Sequence, residues 1–273
     1  MTAILHDMKL NCPSCYSDGL KLESLNEDVR CSKCNAIFSF DHGFLDLLSE
    51  ESPGMLPVSN PMKWNWLVKL YNSRLWRRSV LIKFSFGISF ARELETITDA
   101  AKLQGHETIL DLACGPGTYS LPLAKSLNGG FVVGVDLSIP MLKYAAKKAS
   151  EEKQHNTLFI HVNAKNLPFS DCEFDVVNCC GALHLFRHFL PDLLSKISRI
   201  LKPGGRFTIA AANTPNGGLG RRITSYSARK TGLKFFTPNE LEAYLKEAGF
   251  IDISCHHAKR YWLIMSASSQ MTF

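Results

Sequence analysis

Ile109-Leu-Asp-Leu-Ala-Cys-Gly-Pro-Gly-Thr-Tyr-Ser120 is an apolar run that carries one acid, breaks at a glycine turn and resumes with helix-compatible residues. Further on, Gly134-Val-Asp136 ends a second apolar run on a carboxylate. A strand that delivers Gly115 and Gly117 into a helix start lets the backbone approach a ligand where a Cβ would clash. Asp136, at the tip of the next strand, is placed to accept hydrogen bonds from both hydroxyls of a ribose. The stretch therefore predicts an open α/β sheet with a nucleoside site at the carboxyl ends of its strands.

Two common nucleotide sites are excluded by the residues beyond the turn. A dinucleotide fingerprint needs a third glycine where this chain has Ser120, and no Gly-Lys-Ser/Thr is present to make a phosphate loop. Asp111, on the strand itself, suits a cationic or amino-bearing ligand better than a pyrophosphate. S-adenosylmethionine, with an ammonium, a sulfonium and a ribose, meets these requirements.

Further motifs continue in order: Leu137-Ser138 with Met141-Leu142, Asn163-Ala-Lys-Asn-Leu-Pro-Phe169, Phe174-Asp-Val-Val177, Gly181-Ala-Leu-His184 and Leu201-Lys-Pro-Gly-Gly205. With Asp111 to Gly117 and Gly134 to Asp136, this succession resembles the class I S-adenosylmethionine-dependent methyltransferases, in particular the quinone-biosynthesis branch, across residues 88 to 266. The resemblance implies a doubly wound, mostly parallel, seven-stranded Rossmann-like sheet. It also implies that Asp111, Ala113, Cys114, Gly115, Pro116 and Gly117 approach the methionine part of the cofactor and Asp136 with Leu137 its ribose. Asn163 and Ala164 would border the adenine, and Cys180 the methionine or ribose. One departure is Asn163, which stands where the family usually has an acid; an amide can still accept a hydrogen bond from an adenine amino group.

The 273 residues suffice for one sizeable α/β core with an appendage, and a content of 45% hydrophobic and 21% charged residues is that of an ordinary globular protein. The first residues lack the basic-then-apolar pattern of a leader, and no apolar run approaches the roughly 20 residues of a membrane span. A cytoplasmic location is the expectation.

A second motif lies near the start. Cys12-Pro-Ser-Cys15 and Cys31-Ser-Lys-Cys34 are two C-x2-C pairs separated by 15 residues, a spacing that reads as a closed, structural four-cysteine Zn²⁺ site in a zinc-ribbon-like module over residues 1–48. Two disulfides are the alternative, disfavoured without a secretory context. The module resembles those fused ahead of some ribosomal-RNA guanine methyltransferases and plastid methyltransferase-like proteins. Cys114, Cys172, Cys179, Cys180 and Cys255 read as scattered core thiols.

Residues 49–61 carry three prolines and a glycine and read as a linker. Residues 62–104 then form an aromatic and basic helical segment: Trp64, Leu67, Leu70, Tyr71 and Trp76 fall near one helical face, with Trp66 beside it and Lys63, Lys69, Arg74, Arg77 and Arg78 interspersed. By family analogy it is a lid offering Trp64, Trp66, Tyr71 and Trp76, with Phe84, Phe86 and Phe90, to an acceptor. A plain amphipathic helix is the competing reading.

Residues 105–273 hold the cofactor core. Strands are expected near 107–113, 131–136, 157–162, 174–180, 206–212, 250–257 and 260–267. Ser138 with Pro140, and Thr237-Pro-Asn-Glu240, read as helix starts. Methyl transfer from a sulfonium is an in-line displacement that asks the protein for approach geometry and dryness, and for a base only when the acceptor must lose a proton. His184 is the candidate base, with an unperturbed pKa suited to the task; a packing or pocket-lining histidine is the alternative.

The formal charge of +6, with basic clusters at 63–83 and at Gly220-Arg-Arg222 to Lys234, leaves RNA open as a partner. Residues 213–236 read either as a basic rim or as a glycine-rich flap over a small acceptor. Three functions therefore stand: a methyltransferase for a small apolar or aromatic acceptor, a methyltransferase for an RNA base, and a non-catalytic cofactor-binding regulator.

Overall fold

The computed structural model describes residues 8–22, 27–48 and 79–270. These fall into two compact units. Residues 8–48 (as described) and 104–174 make the first; 79–103 and 175–270 make the second.

The first unit is built on the predicted cofactor strands. β5 (Thr108–Leu112), β6 (Phe131–Asp136) and β7 (Thr157–His161) are consecutive parallel neighbours, and all but the ends of each are buried. Their near-continuous apolar character is what a parallel strand covered on both faces requires. The register sets Asp111 opposite Gly134, Gly134 opposite Phe159 and Asp136 opposite His161. Gly134 is obligatory there, because a Cβ would stand 2.8 Å from the Phe159 ring and 3.0 Å from Cys114 Sγ.

α3 (Ser120–Lys125) and α4 (Ile139–Glu151) follow β5 and β6. α4 buries Met141, Leu142, Ala145, Ala146 and Ala149, a helical stripe that packs with Phe44, Leu121, Cys114 and Phe159. Ser138 occupies the N-cap position with proline in the first turn, as expected, but its side chain makes no capping bond.

The N-terminal segment extends this sheet. β1 (Val29–Arg30) and β2 (Ile37–Phe38) form a small antiparallel ladder of their own. β3 (Phe40–Asp41) and β4 (Phe44–Asp46) do something the sequence did not announce: β4 pairs in parallel with β7, Leu45 opposite Ile160 and Asp46 opposite His161, and β3 pairs antiparallel with β4. The N-terminal segment thus adds strands to the seven expected. A two- or three-residue strand carries too little periodicity to be read in advance.

The second unit carries β8 (Phe174–Cys180), β9 (Leu201–Ala212), β10 (Ile251–Lys259) and β11 (Trp262–Ser268), ordered β8-β9-β11-β10 with β11 antiparallel to both neighbours. β9 begins at Leu201, ahead of the expected Arg206; α5 (Leu190–Ile200) stops directly before it. α5 buries Leu190, Leu193, Leu194, Ile197 and Ile200. α7 (Pro238–Glu247) starts as predicted, with Thr237 Oγ1 accepting the Glu240 N–H at 3.2 Å. Between them, residues read as a flap form a helix, α6 (Gly218–Thr231), closed by a left-handed Gly232. Glycines at both ends of a helix resemble a flexible loop when read by composition alone.

α1 (Val80–Phe86) and α2 (Phe90–Ala101) complete this unit. Ser79 and Ser89 cap them, accepting the N–H groups of Ile82 and Arg92. The linker 49–61 and the lid residues Trp64, Trp66, Tyr71 and Trp76 lie outside the described residues.

Candidate functional site: a glycine cradle and a four-thiol cluster

The turn after β5 is held in an unusual backbone shape. Ala113, Gly115 and Gly117 have φ of 54°, 56° and 75°. The left-handed region strains a residue with a Cβ, so Ala113 is maintained by its surroundings. Here Cys114 N–H donates to the Val135 carbonyl at 3.0 Å and Gly117 N–H to the Cys114 carbonyl at 3.2 Å. Among the described residues nothing lies within 4 Å of where a Gly115 Cβ would stand.

Asp136 closes the cradle. Its Oδ2 accepts the Gly115 N–H and its Oδ1 the Ser138 N–H, both at 2.8 Å. The carboxylate therefore joins the β5 turn to the start of α4, and each oxygen retains a lone pair for a further donor. Burial pushes its pKa above the ordinary value, against the Ser138, Gly115 and Leu137 N–H groups that lower it. Ser138 contributes by its backbone, not by the side-chain cap the sequence suggested.

Asp111 is buried, and its Oδ2 accepts the Ser120 hydroxyl at 2.5 Å. It ties the strand to the first residue of α3 through that residue's side chain. Cys114 is buried, and desolvation with the Asp136 and Asp111 charges raises its thiol well above the ordinary value. Such a thiol is inert as a nucleophile. Pro116 is buried beside it, and Leu137 is half-buried. Asn163 is buried and its Oδ1 accepts the Lys165 N–H at 3.1 Å, capping a short 3-10 turn over Ala164–Asn166. The structure thus brings Cys114, Gly115, Gly117 and Asp136 together directly and places Asp111, Asn163 and Ala164 at the ends of the same strands.

Two predicted residues belong to the second unit. Cys180 ends β8, buried, with its Sγ 3.0 Å from Asn178 Oδ1. His184 lies in a short 3-10 turn over Leu183–Leu185, its carbonyl accepting the Lys234 N–H at 2.9 Å. Its Nδ1 is buried with no hydrogen-bond partner among the described residues, and burial lowers its pKa to about 4. The ring is therefore neutral at physiological pH, a weaker base than its unperturbed value implied.

The four N-terminal cysteines do converge. Their sulfurs all lie within 4.8 Å of one another, with Cys12 to Cys34 and Cys15 to Cys31 each at 3.7 Å. That spacing is too long for a disulfide and close to the about 3.8 Å edge of a tetrahedron with Zn–S bonds of about 2.3 Å. The two halves are alike in backbone: Tyr16 N–H returns to the Cys12 carbonyl and Asn35 N–H to the Cys31 carbonyl, and both residues are left-handed. The Cys34 N–H is the chief influence drawing the Cys31 thiol down to about 6. Cys34 is pulled down by the Ala36 N–H but driven up to about 12 by burial and its three sulfur neighbours. Ionising all four together requires a cation among them.

Two residues escaped the sequence reading, His161 and Asp46. His161, buried at the end of β7, has its Nδ1 2.9 Å from Asp46 Oδ1 and its Nε2 3.2 Å from the Leu137 carbonyl. No local signal could have joined positions 115 residues apart.

Comparison with known proteins places this geometry. Residues 109–205 match the family model described as a methyltransferase domain. Over that stretch the chain is similar to a methyltransferase domain. The demethylmenaquinone methyltransferase of Listeria monocytogenes serotype 4a is 31% identical over 141 residues, 51% of this chain and 58% of that protein. The Lactococcus lactis enzyme of the same name is 33% identical over 154 residues, 56% of this chain and 54% of its own. The chain thus spans somewhat over half the length of the curated relatives it matches. Among solved structures, phosphoethanolamine N-methyltransferase 2 of Haemonchus contortus, in complex with S-adenosyl-L-methionine, aligns with a TM-score of 0.63 at 19% identity, over 78% of this chain and 59% of its own. A SAM-dependent methyltransferase from Aquifex aeolicus aligns with a TM-score of 0.57 at 18% identity, over 76% and 98%. The fold these alignments share is Rossmann-like α/β. Among the described residues no helix is long and apolar enough to cross a membrane.

Proposed function

We propose that this chain is an S-adenosylmethionine-dependent methyltransferase acting on a small, apolar or aromatic acceptor. The observation that carries the reading is the Asp136 carboxylate held by Gly115 and Ser138 N–H groups beside space that no described residue fills at Gly115. A nucleoside fits this donor and acceptor set: Asp136 would take the ribose hydroxyls, and the Ala113–Gly117 backbone would border the methionine part. Asn163 and Ala164 would border the adenine. Asp111 would be oriented toward the ammonium, directly or through water, and Cys180 would border the methionine or ribose.

The bound cofactor supplies an electrophilic methyl group. What the protein supplies is approach geometry and exclusion of water. His184, neutral and with an Nδ1 that no described residue bonds, can accept a hydrogen bond from an acceptor hydroxyl; it is the candidate proton acceptor where the acceptor must lose a proton. The demethylmenaquinone methyltransferases among the relatives support a ring-bearing, apolar acceptor. No comparison favours an RNA base or a purely regulatory role. Trp64, Trp66, Tyr71 and Trp76 are proposed to line the acceptor side, in a lid over residues 62–104 that follows the 49–61 linker.

Cys12, Cys15, Cys31 and Cys34 are proposed to hold one structural Zn²⁺, organising residues 1–48. A cytoplasmic location belongs to the same reading.

Calorimetric titration of zinc-analysed protein with S-adenosylmethionine, S-adenosylhomocysteine and NAD tests the proposal. Micromolar binding of the first two, with one zinc per chain, is the expected result. Binding of NAD alone, or of nothing, overturns the cofactor assignment.

A further inference from the structure

Three parallel strands end side by side on ionisable residues. The register sets Asp46 of β4 and Asp136 of β6 on either side of His161 of β7. The central ring is buried, and both of its nitrogens face oxygen: Nδ1 meets Asp46 Oδ1 at 2.9 Å, and Nε2 meets the Leu137 carbonyl at 3.2 Å. A carboxylate and a carbonyl only accept hydrogen bonds. Both contacts are therefore made at once only by a ring with a proton on each nitrogen. A neutral ring would point a lone pair at one of the two oxygens.

Leu137 is the residue after Asp136, and Ser138, whose N–H holds Asp136 Oδ1, is the next. Fixing the Leu137 carbonyl fixes the peptide that sets the Asp136 side chain and the Ser138 donor. Phe44 meets the ring edge-on at 6.2 Å between centroids. Asp46 and Asp136 flank it by register, and the Asp46 carboxylate is half-buried, with the Leu48 N–H on the same Oδ1 at 3.1 Å.

We infer that Asp46 and His161 are positioning residues for the cofactor cradle: the N-terminal segment, through Asp46, orients a doubly protonated His161 that holds the Leu137 turn in the shape Asp136 needs to grip a ribose. The inference rests on the proposal that Asp136 binds the nucleoside. It gives the N-terminal segment a role in cofactor affinity, beyond any metal it carries.

The test is S-adenosylhomocysteine binding by calorimetry for the full chain and for Asp46→Asn, Asp46→Glu and His161→Gln, with ¹⁵N NMR of the His161 ring in parallel. Asp46→Asn and His161→Gln should bind about 3- to 10-fold more weakly, the range of one lost hydrogen bond. Asp46→Glu should restore part of the affinity. Thermal melting separates this from a structural role. Variants that melt earlier yet bind with wild-type affinity would overturn the inference, as would a folded His161 ring with a proton on only one nitrogen. If a variant does not fold, the wild-type ring spectrum still decides. Should the wild type bind no S-adenosylhomocysteine, the functional proposal fails, while the ring spectrum and the Leu137 and Ser138 amide shifts still report whether the relay exists.

Discussion

Trp262 Nε1 donates to Glu93 Oε1 at 2.8 Å, and both side chains are buried. The indole also stacks on Phe86, with ring centroids 4.1 Å apart and planes 3° from parallel. One tryptophan thus ties α1 and α2 to β11 and supplies a donor to a buried glutamate. Trp262→Phe keeps much of the stacking but removes that donor. It should cost about 1–3 kcal/mol, the penalty for taking a hydrogen-bond donor away from a buried acceptor. Glu93→Gln, which keeps an acceptor oxygen, should cost less. Urea unfolding of the three proteins checks the order; equal midpoints would refute it.

Gly115→Ala and Gly134→Ala should separate binding from folding. At Gly115 a Cβ meets nothing within 4 Å among the described residues, so alanine costs the left-handed backbone strain, about 1–2 kcal/mol, while projecting into the space assigned to the cofactor. At Gly134 a Cβ collides with Phe159 and Cys114, and overpacking of about 1–3 kcal/mol is expected. The first variant should lose cofactor affinity more than melting temperature, and the second the reverse. Parallel calorimetry and thermal melts show the difference.

Asp136→Ala should weaken S-adenosylmethionine by about 1.5–3 kcal/mol if its carboxylate accepts both ribose hydroxyls. It also leaves the Gly115 and Ser138 N–H groups without their acceptor, so Asp136→Asn, which keeps one oxygen, should bind at an intermediate level. Unchanged affinity in both variants would remove Asp136 from the site.

Acid stability depends on His184 and Asp46, with the same sign for each. Burial lowers the His184 pKa from 6.5 to about 4, so the unfolded chain takes up a proton that the folded chain refuses. Stability is therefore complete above about pH 6.5 and lost as pH falls towards 4. Asp46 is buried enough to be pushed up, but the His161 hydrogen bond and the Leu48 N–H bring it below its ordinary value. Its contribution is present above the unfolded value and disappears as pH falls through the folded one. Melting temperatures of His184→Gln should decline less than wild type between pH 6.5 and 4; an identical decline would assign the loss elsewhere.

Chelation should affect more than the N-terminal segment. Because β4 continues the β7 edge, and Asn11 N–H donates to the Pro168 carbonyl at 2.7 Å, loosening the cysteine cluster also frees the strand that carries Asp46. Zinc removal, or Cys31→Ser, should lower the melting temperature and also weaken S-adenosylhomocysteine. A drop in the first without the second would show that the cluster stabilises only its own surroundings.

Much of the molecule is determined by local chemistry and is legible in the chain itself. The apolar runs of β5, β6, β7, β8 and β11, the glycine turn at 113–117, the Thr237 cap and the two cysteine pairs are specified by neighbours a few residues apart, because hydrogen bonds of turns and caps and the burial of a strand act at that range. The tertiary structure alone decided the rest. That β4 joins β7, that Ser138 serves Asp136 by its backbone, that Asp111 is occupied by Ser120, that burial makes His184 a weak base and that His161 lies between Asp46 and the Leu137 carbonyl are outcomes of packing between segments distant in the chain. Desolvation and hydrogen-bond partnership depend on what surrounds an atom in space, and a side chain's spacing along the chain does not carry that information.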